Sequence, residues 1–237
     1  MARSRVRRGS SGRALRRWLL RALLAAALLA IALPALLLLP LRWLPPPTTA
    51  FMLRHPGPVR QHWVPWREIS PHVAVAVVAA EDQKFPHHHG FDLASISSAL
   101  SGREARRAGA TRGASTITQQ VAKNLFLWPA RSWTRKGLEA WLTLWIEWLW
   151  PKRRTLEVYL NVAEFGPGIF GVGAASAAYF GEPPARLDPE QAARLAAVLP
   201  DPRRMRVVDP GPYAARRAAE IRAQAAMLGG PAYLRDL

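Results

Sequence analysis

Glu81 and Asp82 close a stretch, His72 to Ala80, that is almost entirely apolar. Ser70 and Pro71 start a helix there, because a serine hydroxyl caps free N–H groups and proline fits the first helical position. Pro86 and Gly90 stop it. So apolar a helix is buried, and delivering two carboxylates to its end is costly unless they are paired or used. A solvated helix end, where Glu-Asp has no task, is the plain alternative. A second polar cluster lies at Ser115-Thr116-Ile117-Thr118-Gln119-Gln120-Val121-Ala122-Lys123-Asn124. Helical spacing from Ser115 groups Thr116, Gln119, Gln120 and Lys123 on one face and Ile117, Val121 and Leu125 on the other. An ordinary surface helix carries mixed charges on its polar side; neutral amides around one lysine suit a polar, anionic ligand instead. Third, Arg135 and Glu139 stand four residues apart and can pair, with Thr143 and Glu147 continuing that side.

These groups need elements to hold them. Thr134 caps a helix running to about Trp150, and Leu138, Trp141, Leu142, Trp145, Trp148 and Leu149 gather on the face away from Glu139. Such a stripe is either core or, since indoles favour the lipid–water boundary, a membrane contact. Pro151 opens a helix to Asn161 that carries Glu157 and Tyr159. Gly166, Gly168, Gly171 and Gly173 allow tight turns or close backbone approach, and without a preceding nucleotide-fold strand they are a weak phosphate signal. Ala174 to Phe180 is helical. Asp188-Pro189-Glu190-Gln191 starts a helix that reaches Leu199, and Tyr213 to Leu228 forms the last. Phe51 to Ile69 reads as irregular with a short strand, Asp92 caps a helix through Leu100, and Ser101 to Gly113 is an exposed, mobile loop. The domain after the N-terminal segment is mainly α.

Composition narrows the chemistry further. The chain has 237 residues, is half hydrophobic, and carries a net charge of +17. It has no cysteine, which removes disulfides, thiolate catalysis and Cys-bound zinc. Nine arginines and no acid fall within residues 1–50. The remaining excess of base suits anionic lipid or pyrophosphate, and no RNA- or DNA-binding motif accompanies it, so nucleic acid is not the expected partner.

The arginines precede an uncharged apolar run, Ala22 to Leu39, whose eighteen residues span roughly 27 Å as a helix. Trp18 and Trp43 suit the two interfaces, and Pro34 is tolerated in a membrane helix. A cleaved signal peptide ends in a small-residue site, whereas Leu41 to Pro47 is bulky and proline-rich. The expected layout is a basic cytoplasmic tail (1–17), a transmembrane anchor (18–44), a stiff linker (45–50) and an extracytoplasmic domain (51–237).

Taken together, the polar stretches resemble the peptidoglycan glycosyltransferase family, the glycan-polymerising module of class A penicillin-binding proteins. Glu81, Asp82, Phe85, His88 and Gly90 match its Glu-Asp-x-x-Phe-x-x-His-x-Gly motif. Gly113 to Asn124 matches Gly-x-Ser-Thr-x-Thr-Gln-Gln-x-x-Lys-Asn throughout. Arg135, Lys136 and Glu139 match Arg-Lys-x-x-Glu. Lys152 to Asn161 matches Lys-x-x-Ile-Leu-Glu-x-Tyr-Leu-Asn, with Thr155 at the Ile position. Ala192 to Pro202 fits the final Leu-Pro-x-Pro helix, with Arg194 in its usually apolar run.

The resemblance implies a lysozyme-like helical fold after one transmembrane helix, with a membrane-embedded smaller lobe. It implies lipid II and the growing glycan strand as substrates, and a bacterial inner-membrane site with the catalytic domain periplasmic. The reaction it implies is inverting synthesis of β-1,4 glycan with release of undecaprenyl pyrophosphate. By motif position Glu81 is the base on the acceptor 4-hydroxyl, and Glu139 lies at the donor pyrophosphate through a divalent cation, Mg2+ or Mn2+. Lys123, Arg135 and Lys136 supply positive charge, while Ser115, Thr116, Gln120 and Asn124 hold sugar or phosphate oxygens. Asp82, Phe85, His88, Gly90 and Glu157 support the site. His87, His88 and His89 are consecutive, and such neighbours rarely converge on one ion. Other cell-wall synthesis and division proteins are conceivable partners. No Ser is followed three residues on by Lys, so no transpeptidase nucleophile is expected within these residues. Two rivals stand beside this reading: a lysozyme-like or lytic glycan-cleaving enzyme, which has no use for three cations, and an inactive scaffold.

Overall fold

Helix α3 (Pro71–Glu81) organises the catalytic unit, in a computed structural model that describes residues 11–92, 115–130 and 132–237. Apolar on every side, α3 must be surrounded, and Val73 to Ala79 are all buried. Ser70 caps it, accepting from His72 N at 3.3 Å, and its hydroxyl donates to Leu187 O at 2.7 Å.

The chain divides into two compact units, Met1–Trp43 and Leu44–Leu237. The first contains α1 (Ser11–Leu41), whose stretch Leu15–Leu41 is long and apolar enough to cross a membrane once. Pro34 and Pro40 lie inside it without ending it.

In the second unit α2 (Ala50–Leu53) comes first, so the expected linker ends in a helix that Thr49 caps. β1 (Arg60–Gln61) and a 3-10 turn (Trp66–Glu68) lead to α3. Then follow α4 (Ile117–Phe126), α5 (Trp133–Leu149), α6 (Lys152–Val162), β2 (Glu164–Gly166), β3 (Ile169–Phe170), α7 (Gly171–Tyr179), α8 (Pro189–Val198) and α9 (Pro212–Met227). A last 3-10 turn covers Gly230–Leu234. The strands form one small sheet ordered β1-β3-β2, with β1 parallel and β2 antiparallel to β3. Gly168 turns the β2–β3 hairpin at φ +73, where a Cβ would meet Pro58 O at 2.3 Å.

Packing sorts the helices into two groups. α3 is enclosed by α8, α9 and the last 3-10 turn, while α4 packs on α5, α6 and α2. The C-terminal end of α3 meets the N-terminal end of α4, which is where the carboxylates of the first motif emerge.

Several sequence expectations shift. Ser132, not Thr134, caps α5, because its oxygen reaches Arg135 N at 3.1 Å. The tryptophan stripe is not core. Trp141 and Trp148 are exposed, as is Trp133 at 93 %, while the buried face holds Glu139, Leu142, Thr143 and Ile146. Leu142 therefore belongs to the opposite side from the one its spacing suggested. The helix expected after Asp92 and the loop 101–113 lie outside the described residues.

Candidate active site

The end of α3 places its two carboxylates in different roles. Asp82 leaves the helix at φ −162 and ψ 74, outside helical geometry, and its side chain turns onto α4. There it accepts from Ile117 N at 3.0 Å, while His88 Nε2 lies 2.8 and 2.9 Å from its two oxygens. A carboxylate on the first N–H of a helix is favoured by both the hydrogen bond and the helix dipole. Phe85, fully buried, backs His88 edge-on at 6.2 Å. Gly90 sits at φ +80, and a Cβ there would lie 2.8 Å from both Thr143 and Glu147 side-chain carbons. Asp82, Phe85, His88 and Gly90 are thus tied to one another and to α4 and α5. His87 is exposed and turns instead to Tyr233, ring centroids 6.0 Å apart.

Glu81 is half-buried at the end of α3. Its Oε2 accepts from Gln120 Nε2 at 2.9 Å, and Gln120 Oε1 in turn accepts from Tyr159 OH at 3.1 Å. Its other oxygen lies 3.9 Å from Arg217 on α9. Burial pushes the Glu81 carboxyl above the usual carboxylate range, and neighbouring Asp82 adds to the shift. The Gln120 hydrogen bond, Arg217 and Lys123 hold it down in part. A carboxylate lifted toward neutrality by desolvation is suited to taking a proton.

Lys123 lies between the two acidic centres. Burial lowers its pKa, assisted by Arg135 and Lys136, while Glu139 and Glu81 both draw it back up. Its helix, α4, links the two: Gln120 on it bonds Glu81, and α5, which carries Glu139, packs against it. Glu139 is 2 % exposed and is clasped by Arg135 and Lys136. Lys136 also approaches Ser115 Oγ at 3.4 Å. Arg135 Nε and Arg217 Nε are buried donors with no acceptor among the described residues. Each suits an anionic or sugar oxygen.

Not every expected ligand residue is free for substrate. Thr116 caps α4 in a reciprocal box with Gln119, and its hydroxyl donates to Gly90 O at 2.7 Å. Asn124 is buried on the same helix. Gln120 is the orienting partner of Glu81. Glu157 accepts from Trp66 N and from Arg154, each at 2.8 Å, and so fixes the segment around Trp66. Arg217 is the site residue that the sequence did not single out, and Tyr159 was named there only as part of its motif. Arg217 is positioned because α9 and the last 3-10 turn grip the loop after α3, through Gln83 Nε2 to Gln224 Oε1 at 3.0 Å and Tyr233 OH to Gln83 O at 2.7 Å.

A resident divalent ion does not fit these side chains. Among the described residues no three of His, Asp, Glu or Cys are close enough to hold one, and the Glu139 carboxylate is already engaged by two cations.

The groove is thus a buried base-like carboxylate at one end and an anion-binding cluster at the other. A family model described as Transglycosylase matches residues 50–226. A biosynthetic peptidoglycan transglycosylase of Pseudomonas entomophila is 52 % identical over 208 residues, covering 84 % of this chain and 87 % of its own length. The protein of that description from Pseudomonas aeruginosa is 52 % identical over 203 residues, covering 82 % and 87 %.

Proposed function

The chain belongs to the transglycosylase family, and from that premise we propose how its groove joins lipid II units into β-1,4 glycan. It is an enzyme of peptidoglycan biosynthesis, a transferase that lengthens glycan strands. Glu81 takes the proton from the acceptor 4-hydroxyl as that oxygen attacks the donor sugar's C1. The C1–O bond to diphosphate breaks with inversion, and undecaprenyl pyrophosphate leaves carrying the electron pair. Lys123, Arg135 and Lys136 meet the charge that develops on it, already in place before the bond breaks. Gln120 and Tyr159 orient Glu81, and Arg217 keeps it ionised between turnovers.

What supports this reading is that α4, the helix of Lys123, bonds Glu81 through Gln120 and packs on α5, where Arg135 and Lys136 clasp Glu139. A glycan-cleaving enzyme leaves no diphosphate, so it has no work for that cation cluster. Purified lipid II given to the full chain is expected to yield polymer; release of fragments from preformed glycan, with no polymer from lipid II, overturns the proposal. Were a divalent cation to arrive with the diphosphate, Glu139 would be the carboxylate to hold it, and the ion would supply neutralisation of leaving-group charge there.

The inner membrane is the proposed location, with the arginine-rich tail cytoplasmic and Leu44–Leu237 outside it. Its exposed aromatic face supports a second membrane contact. Trp145 stands edge-to-face with Trp141 and Trp148, at 5.9 and 5.4 Å between centroids. Burying half of one indole in lipid is worth about 2 kcal/mol. Replacing Trp141, Trp145 and Trp148 by Ser in a fragment beginning at Leu44 is therefore expected to weaken liposome binding more than tenfold, on the order of 2 kcal/mol or more. The thermal midpoint should hold; a large drop with unchanged binding would return the stripe to the core.

A further inference from the structure

The segment between the apolar span and the catalytic helices is shaped as part of the site. Eight residues separate Leu41 from Ala50, and several of them are held down. Leu44 O accepts from Arg154 Nη2 at 2.6 Å. Thr49 is buried and accepts from Met52 N at 3.1 Å, which starts α2. Arg54 Nη1 donates back to Ala50 O at 3.1 Å. So closed, α2 packs on α4 and brings the Phe51 ring to 5.4 Å from Lys123 Nζ.

Lys123 needs such a neighbour. Four rotatable bonds separate its ammonium from the helix, and no hydrogen bond or ion pair holds Nζ among the described residues. Glu81 and Glu139 pull it from two sides while Arg135 and Lys136 push. The face of an aromatic ring attracts a cation and is also a wall, so it limits where the ammonium can go.

We propose that α2 belongs to the diphosphate end of the site and that Phe51 is a positioning residue for the Lys123 ammonium. The inference rests on the polymerising function argued above. It makes the stretch after the membrane span a working part of the groove rather than a tether, and it separates the ring's electrostatics from its bulk. Leucine and methionine keep the bulk; tyrosine and tryptophan keep a π face.

The test uses the full chain in lipid vesicles with lipid II, comparing Phe51→Leu, Phe51→Met, Phe51→Tyr and Phe51→Trp. Leu and Met are expected to lower kcat/KM between about two- and thirty-fold. In them the alkaline limb of the pH profile should move to lower pH, since an ammonium without its π face loses its proton sooner. Tyr or Trp should restore both. If Leu or Met matches wild type in kcat/KM and pH profile, Phe51 does not position Lys123. If Tyr and Trp fall as far as Leu with thermal midpoints unchanged, the ring acts by shape alone and the inference fails. Wild type run in parallel keeps the questions apart. No polymer from wild type sinks the function itself; normal polymer with indifferent Phe51 variants sinks only this inference.

Discussion

Glu81→Gln is expected to lower lipid II polymerisation by two to four orders of magnitude, roughly the share that general acid–base catalysis supplies. The substitution keeps shape and can keep the Gln120 contact at the same oxygen position. It removes a carboxylate whose proton affinity burial raises. Stability should not fall. A carboxyl whose folded pKa lies above its unfolded value binds more protons when folded, so the fold loses stability as pH rises between those two values. Above that window wild type bears the full cost of a desolvated charge, and the neutral amide of the variant does not. The variant should therefore melt at or above the wild-type midpoint at neutral pH. Turnover within about threefold of wild type, under 1 kcal/mol of barrier, would remove Glu81 as the base.

Arg217 offers an independent check on the same group. It stands 3.9 Å from Glu81 and helps hold the carboxylate down. Arg217→Met should let the Glu81 pKa rise further, moving the acid limb of the pH–rate profile to higher pH. Arg217→Lys should move it less. An acid limb that ignores the Arg217 charge would show that another group limits activity at low pH.

How much of this could be read from the chain depends on the kind of residue. The helices were legible wherever caps and apolar spacing agreed, as at Ser70-Pro71 and at Asp188, whose box with Gln191 forms as the spacing suggests. The acidic and basic groups of the cleft were legible because their types are expensive to bury without a task. Hydroxyls were harder. Thr116 has the sequence signature of a ligand residue and of a helix cap alike, and only the bond to Gly90 O settles which it is. The α5 stripe shows the limit of periodicity. Spacing separates two faces but does not say which is inside, and here the charged face is buried because Glu139 is paired on both oxygens. Tyr159, Arg217 and Phe51 act through partners at least 39 positions away in the chain. No local pattern marks Arg217 or Phe51, and the motif that holds Tyr159 does not say what its hydroxyl meets.

Glu139→Gln should do damage of another kind, to the fold and the reaction together. The carboxylate is almost fully buried and joins Arg135 and Lys136 while drawing Lys123 toward it. Removing one partner of a buried ion pair costs about 3–5 kcal/mol, because the cations left behind keep their desolvation and lose its compensation. Lys136 reaches solvent, so its share is smaller and the low end of that range is the expectation. Polymerisation should fall by about two to three orders of magnitude, as when a charge-stabilising group is lost. With Glu139 gone Lys123 gives up its proton at lower pH, so the alkaline limb should move down. Three unpaired cations also make a hungrier anion site. Inorganic pyrophosphate should raise the thermal midpoint of Glu139→Gln more than that of wild type, since a ligand stabilises a fold in proportion to its affinity for it. Chelator should leave the wild-type midpoint where it is, because one carboxylate already shared by Arg135 and Lys136 holds no resident ion. A Glu139→Gln protein that melts like wild type and gains nothing from pyrophosphate would mean that the three cations were never held together by this carboxylate, and the leaving group would need another partner.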